Sequence, residues 1–527
     1  DLPYDQFVTE HIAGDLLPEP RLNPESGFNE SVLATAFWFL GEWVHSPVDI
    51  LKDETDRFDN AIDVMTKSFL GMTVACARCH DHKFDAISTR DYYALYGYLQ
   101  SSNYHQVRFE SMEHNRSIAA KAEQLHQRQQ ALLKAKLKAA FQDEVQNFSR
   151  YYESASQLVR QTKSPESEQL LQSKAEKQEL NLAILKRWVA FLQNNKSAEE
   201  ELKAAIMLKA GAPASLAPAS PFGPGKPESP ARTIVNYDTC SPEDFIVDGF
   251  TFGLAPRPRG TLLLDPASKA LSLKVQTEGA AIRDPLWNDL EDVKTPQMIQ
   301  KNRLRSYPRA GRTLRTPTFE VKGSVAYRVK GSCWVYACVD SHRLLFGPLH
   351  GSTLKKVDSD KAGKPLWVFH DLSRYNGHRV HLEFTPIGKE PLEVYQVKYA
   401  AEFPEPDLTS VSLQTPQVQQ AFKDAFQEFC DTTDKPSSQT TALINWILAH
   451  PDLFSDPEDS DRKALQQAIL DYQSERDQLQ KQIQNKSRTA MAIMDGSAEN
   501  DHVLLFVPDK RQIPAVEALF QVSATFV

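Results

Sequence analysis

Six prolines fall between Pro213 and Pro230, a density that neither a helix nor a central strand can carry. Residues 209–232 therefore read as a linker, and the hydrophobic period changes across it. From about His114 to Leu208, Gly and Pro are almost absent, and apolar residues recur at three- and four-residue steps, as in Ile118, Ala122, Leu125 and then Leu133, Leu137, Ala140. From Thr233 to about Ala401 the period is two: ALSLKVQ, VAYRVKG, CWVYACV, RVHLEF and VYQVKYA are short alternating runs set between Gly, Asp, Asn and Pro. A chain that switches period in this way does not close around one core, and 527 residues is too long for one.

The expected fold class is multidomain α+β. Residues 1–112 read as a mainly helical region with long ordered loops. Residues 113–208 read as a long antiparallel helical hairpin, broken at Lys163-Ser164-Pro165-Glu166, where Ser caps and Pro occupies the first helical position. Past the linker, 233–401 reads as an antiparallel β-sandwich of jelly-roll type, 402–487 as a further helical segment, and 488–527 as the start of an incomplete unit.

Charge and hydropathy exclude several function classes. A net charge of -9 argues against a general nucleic-acid binder, whose affinity rests on Lys and Arg neutralising phosphates. The longest apolar stretch, Val32 to Val44, is interrupted by Gly41 and Glu42 and falls short of the roughly 18 residues that cross a bilayer. The chain opens at Asp1 with neither a basic nor an apolar leader region, as expected if a presequence is gone or the chain is part of a longer polypeptide. Six cysteines are too few for a disulfide scaffold.

Two of those cysteines carry most of the chemistry. Cys76-Ala77-Arg78-Cys79-His80 pairs two thiols three residues apart with an adjacent imidazole, and this chain's own Cys and His frequencies give about 0.002 chance occurrences of the pattern. Thiols at this spacing can add to the two vinyl groups of haem, and the next residue's imidazole then lies beneath the iron. Covalent attachment of this kind implies export and a dedicated attachment machinery. Two other readings stand beside it. Cys76, Cys79, His80 and His82 could bind zinc, although structural zinc sites usually draw their ligand pairs from two separated segments. The CxxC could also be a redox dithiol, although no βαβ pattern surrounds it.

The stretches PYDQFVTEHIAGDLLP and FLGMTVACARCHDHKFDAISTRDYYALYGYL resemble the second planctomycete-type cytochrome c domain family, which has a CxxCHxHK-like core; the likeness covers residues 1 to about 105. GRTLRTPTF, LWVFHDLSRYNGHRVHLEF and RTAMAIMDG resemble the sandwich and the beginning of the partner domain that follow in such polypeptides. The resemblance implies one covalent haem c, export to the periplasm or cell surface, and a chain cut from something longer. It supplies no reaction. Carried over by position, Cys76 and Cys79 would be the thioether attachments, His80 the axial iron ligand, and His82, Lys83 and Asp85 members of the same motif. Lys83 would belong to the cofactor site, and His82 would serve the cofactor's surroundings, a propionate or catalysis. Ala86 stands where the family usually has Pro.

The sixth iron ligand is open, with Met65, Met72, His45, His105 and His11 as candidates. A protein ligand there would favour electron transfer, and an open position would favour small-molecule chemistry at iron. Asp53, Glu54, Asp56, Asp59 and Asp63 could bind calcium, although they lack an EF-hand's Gly and spacing and read more simply as a solvated helix start. Arg303, Arg305, Arg309, Arg312 and Arg315 could recognise an anionic polysaccharide, against the simpler reading that they pair with the protein's own acids. Cys333 and Cys338 fall on opposite faces of one strand, too far apart to bond to each other. The leading expectation is an exported c-type haem protein performing electron transfer or oxidoreduction with a redox partner or small-molecule substrate, with polysaccharide use as the process it could be linked to. The competing class is an envelope glycan-binding scaffold with a structural haem or zinc.

Overall fold

A computed structural model describes residues 2–41, 44, 47–161, 165, 167–194, 233–265, 271–290, 309–342, 349–358, 365–400, 415–431, 435–494, 504–506 and 512–514. It shows a multidomain α+β chain with a large antiparallel sheet. The linker 209–232, the boundary at 401–402, His45, Arg303 and Arg305 lie outside the described residues.

The N-terminal region is built on α1 (Tyr4–Ala13), α2 (Glu30–Ala34), α3 (Ile50–Leu70) and α4 (Thr89–Ser101). The Asp49 side chain caps α3 by accepting from Lys52 N–H, and Gly71 ends it at φ 68, a left-handed position suited to glycine. Ser88 and Asp91 form a reciprocal capping box on α4. Phe58, Ile62 and Met65 of α3 pack against Tyr92, Tyr96 and Leu99 of α4.

Among the described residues the expected two-helix hairpin is instead four helices: α5 (Met112–Gln146), α6 (Phe148–Gln161), α7 (Glu168–Gln178) and α8 (Leu182–Asn194). The second expected helix breaks where Glu179 turns left-handed at φ 49 and Asn181 Oδ1 caps the next helix through Ala183 N–H at 2.9 Å. These four do not pack as an isolated hairpin. They share a core with α9 (Thr415–Asp431), α10 (Ser438–Ala449) and α11 (Ser460–Gln482). Phe148 stacks on Phe422 at 4.4 Å between ring centres, and the Trp188 indole donates to Leu453 O at 2.9 Å. The two helical segments read from sequence as separate units are thus one body.

Among the described residues the sheet region has twelve strands between these helical segments: β2 (Thr233–Asn236), β3 (Ile246–Gly249), β4 (Leu262–Leu264), β5 (Leu273–Val275), β6 (Ala281–Ile282), β7 (Arg312–Arg315), β8 (Phe319–Glu320), β9 (Val325–Val339), β10 (Leu354–Asp358), β11 (Leu366–His370), β12 (Arg379–Pro386) and β13 (Leu392–Tyr399). Ten of them form one antiparallel sheet with the path β2-β13-β9-β12-β7-β3. The β4–β5 hairpin stands apart and packs into the helical body.

Strand β9 organises the large sheet. Val325 to Gly331 pair with β13, with β11 on the other side, whereas Cys333 to Val339 pair with β12, with β10 opposite. The passage from one partner set to the other occurs at Gly331, whose φ is 103 and whose absent Cβ would meet Pro391 O at 1.9 Å. Alternation survives the corner: Val325, Tyr327, Val329, Cys333, Val335, Ala337 and Val339 all enter the same core. Cys338 lies with Tyr336 in a small cluster on the other face, as the spacing requires.

The N-terminal region is docked on this sheet. Ile50 of α3 joins its core, and Arg315 donates to Tyr104 O at 3.2 Å. Strand β1 (Asn103–Val107) pairs antiparallel with β14 (Ala490–Met494), so the segment expected to open a separate unit returns to complete a two-stranded ribbon with the N-terminal region. No helix among the described residues is long and apolar enough to cross a membrane.

Candidate haem-attachment site

Cys76 lies in a short 3-10 turn, Val74–Arg78, that follows α3, and Cys79 is the residue that caps the turn's C-terminal end. Side chains three apart eclipse one another in a 3-10 helix. Val74 and Ala77 therefore share one side, where they are buried at 4% and 0% exposure against Ile62 and Met65. Cys76 and Cys79 share the other side, and both are exposed free thiols. The turn is braced by Arg78, which pairs with Asp59 of α3 at 3.0 Å, while the Tyr92 hydroxyl donates to the same carboxylate at 2.6 Å. Burial and Asp59 push the Tyr92 phenol well above its ordinary pKa.

His80 is exposed, and its Nδ1 lies 2.8 Å from Asp81 O. A carbonyl only accepts, so Nδ1 carries the proton and Nε2 keeps its lone pair, the tautomer a metal-ligating histidine requires. Asp81 is itself fixed, because its Oδ1 accepts from Thr89 N–H at the start of α4 at 2.9 Å.

His82 has the opposite arrangement. Its Nδ1 accepts from Asp85 N–H at 3.0 Å, its Nε2 lies 2.9 Å from Thr73 Oγ1, and the ring is only 6% exposed. With both nitrogens occupied, His82 clamps the loop after His80 to the residue before the turn. A catalytic part or a zinc-ligand part is not what this geometry provides. Among the described residues no group of three or more His, Cys, Asp or Glu converges as a metal cage. Lys83 is exposed with its ammonium 5.1 Å above the Phe84 ring, which is itself 83% exposed.

The chemistry of the donor set fits a haem c. Two outward thiols and one free imidazole nitrogen lie on consecutive turns, and Lys83 offers a cation for a propionate. A large apolar ligand also needs apolar walls. Fourteen of the eighteen large apolar side chains exposed among the described residues belong to the first 98 positions, including Leu40, Leu70, Met72 and Phe84.

The remaining candidates fall in different places. Met65 is 7% exposed and packed in the core. Met72 is partly exposed, just past α3. His105 faces Asp248 on β3 at 3.8 Å and is wholly buried against the sandwich, which lowers its pKa to about 4. The acidic run is not a calcium site, because each carboxylate has its own cation: Asp53 with Arg57, Glu54 with Arg379, Asp56 with Lys52, Asp59 with Arg78, and Asp63 with Lys67. The described arginines of the second cluster also turn inward. Arg309 and Arg315 flank the buried Glu383, and Arg312 is 7% exposed. Burial would raise the Glu383 carboxyl, but the two guanidiniums hold it well below the usual carboxylate range. These three are not presented to a polysaccharide.

Sequence reasoning missed Thr73, Asp59 with Tyr92, and the Asp81 carbonyl. Only Asp59 carried a signal, as one of the acidic run. No curated protein and no solved structure matches the chain. Residues 1–104 match the family described as PSCyt2, protein of unknown function, which supports a planctomycete cytochrome-like domain over that fifth of the chain.

Proposed function

We propose that residues 1–104 carry one covalently attached haem c and that the protein transfers electrons outside the cytoplasm. The observation that carries the reading is His80, whose Nδ1 is committed to Asp81 O and whose Nε2 stays free beside two outward thiols. Cys76 and Cys79 would supply the two thioether sulfurs, His80 Nε2 the proximal nitrogen, and Lys83 a charge partner for a propionate. Bound there, the haem supplies an iron centre that accepts and returns one electron. The protein's part is to hold the turn rigid through Arg78, Asp59 and Tyr92, and to fix the imidazole tautomer. Attachment of this kind requires an export route, so the expected location is the periplasm or cell surface, with a redox protein or a small molecule as electron partner.

Spectroelectrochemistry on protein made with the c-type attachment machinery tests the function. The expected result is a reversible one-electron conversion between ferric and ferrous spectra. A haem that is loaded but does not cycle would contradict electron transfer.

A further inference from the structure

The outer face of the large sheet carries a band of cations that the haem reading leaves unused. In β9, Tyr327 and Val329 enter the core, so Ala326, Arg328 and Lys330 face outwards. β11 and β13 flank this half of β9, with Trp367 of β11 beside Arg328 and Lys398 of β13 beside Ala326. The small Ala326 leaves room for the Lys398 side chain to cross the strand, and its ammonium lies 4.2 Å from the centre of the Trp367 ring. Arg328 holds Glu278 through both outer nitrogens, one of them at 2.9 Å, and lies 5.4 Å from the centre of the Tyr395 ring. Tyr395 in turn donates to Glu393 at 2.6 Å, and Lys330 and Lys274 approach the same carboxylate at 3.4 and 3.6 Å. The band thus sets four cations against two carboxylates, in a chain whose net charge is -9.

One end of the band is unfinished. Lys398 is only 9% exposed, yet among the described residues no carboxylate pairs with its ammonium, and burial together with the nearby Arg328 lowers its pKa. Beside it, the Trp367 Nε1–H and the Arg328 Nε–H are also buried without an acceptor. Donors in that state are costly, a charged one most of all. Three of them at neighbouring positions on adjacent strands form a place prepared for an anionic oxygen acceptor. Trp367 and Arg328 are partly exposed, which opens the place to solvent.

We propose that this face binds an acidic polysaccharide, with a carboxylate or sulfate group of one sugar taken by Lys398, Trp367 and Arg328 and the next anionic groups lying towards Lys330 and Lys274. One such group accepts several hydrogen bonds at once and balances the unpaired ammonium. A repeating anion matches cations spread along a strip, and a neutral glycan does not. This surface is distinct from the arginines of residues 309–315, which turn inward, and the proposal is independent of the haem.

The test is calorimetric titration of the full chain, made with the c-type attachment machinery, with oligogalacturonate, a sulfated oligosaccharide, a neutral oligosaccharide and a single-stranded DNA oligonucleotide of similar length. Wild type is expected to bind one or both acidic sugars, and the neutral sugar and the DNA much more weakly; the better of the two acidic sugars identifies the group as carboxylate or sulfate. Lys398→Met, which keeps the stem and removes the charge, should weaken that binding by at least about tenfold. Trp367→Phe keeps the ring under the ammonium and removes only the N–H donor, and should weaken it severalfold. Lys177→Met, at an exposed position on α7, removes the same charge elsewhere and should match wild type. Thermal midpoints confirm that each variant is folded. Failure of wild type to bind either acidic sugar, equal binding in Lys398→Met, or DNA bound as tightly as the sugars overturns the proposal.

Discussion

Arg379 Nη2 on β12 donates to both carboxylate oxygens of Glu54 on α3, at 2.9 and 3.1 Å, across 325 positions of sequence. Glu54 is almost wholly buried, so this contact joins the site-bearing helix to the sandwich through a desolvated charge. Removing one partner of a buried pair strands the other, which typically costs about 3–5 kcal/mol. Arg379→Met is therefore expected to lower the denaturant midpoint clearly, and Glu54→Gln in the same chain to recover part of the loss. Independent, additive effects in this double-mutant cycle would show that the pair is not coupled.

The corner at Gly331 yields a second expectation. An added methyl there meets a backbone carbonyl, and the residue must also hold φ 103. Gly331→Ala should destabilise the sandwich by at least about 3 kcal/mol, seen as a drop in thermal midpoint. A variant as stable as the parent would mean that β9 does not turn there.

Several histidines are buried in neutral form. Burial, aided by Arg257 and Arg476, lowers His126 to about 3, and burial lowers His370 to about 4. For such groups the unfolded chain binds more protons. Their contribution is complete above the ordinary value of 6.5 and is lost as pH falls towards the folded values. Each group contributes a slope of about 1.4 kcal/mol per pH unit in that window. Urea melts between pH 7 and pH 5 should show declining stability, with a shallower decline in His126→Gln. An equal slope in the variant would remove His126 from the account.

His82 is expected to act by position. His82→Ala should lower covalent haem per protein severalfold with both thiols and His80 present, because Thr73 and Asp85 lose their common partner. His82→Asn, which can still bond to one of them, should recover part of it. Unchanged loading in His82→Ala would show that the clamp has no part in presenting the turn.

What the sequence revealed follows from the range of the interactions involved. The CxxCH turn and the strand alternation around Cys333 and Cys338 are local patterns, and both could be read directly. The i,i+4 pairs Lys52–Asp56 and Asp63–Lys67 are equally local, although the expectation of a solvated helix start rested on the missing Gly and spacing of an EF-hand rather than on them. The arginine cluster was ambiguous because its partner, Glu383, is 74 positions from Arg309 and belongs to another strand. The helical hairpin was misdrawn for a similar reason. Heptad-like spacing shows which face of α5 is apolar but not that α11, more than 300 residues later, covers it, as in the His126–Tyr472 contact at 3.1 Å. The link between β1 and β14 is longer still, and neither strand carries a signal for the other.

The central claim is that Cys76 and Cys79 hold a haem through thioethers. The most direct test is a pyridine haemochrome spectrum of the full chain produced with the c-type attachment machinery and then denatured and acid-extracted. The account expects haem retained on the protein, with the spectrum of a porphyrin whose two vinyl groups are both saturated, and loss of that retention in Cys76→Ser/Cys79→Ser. Protein free of covalent haem, or retention that survives the double substitution, would contradict it.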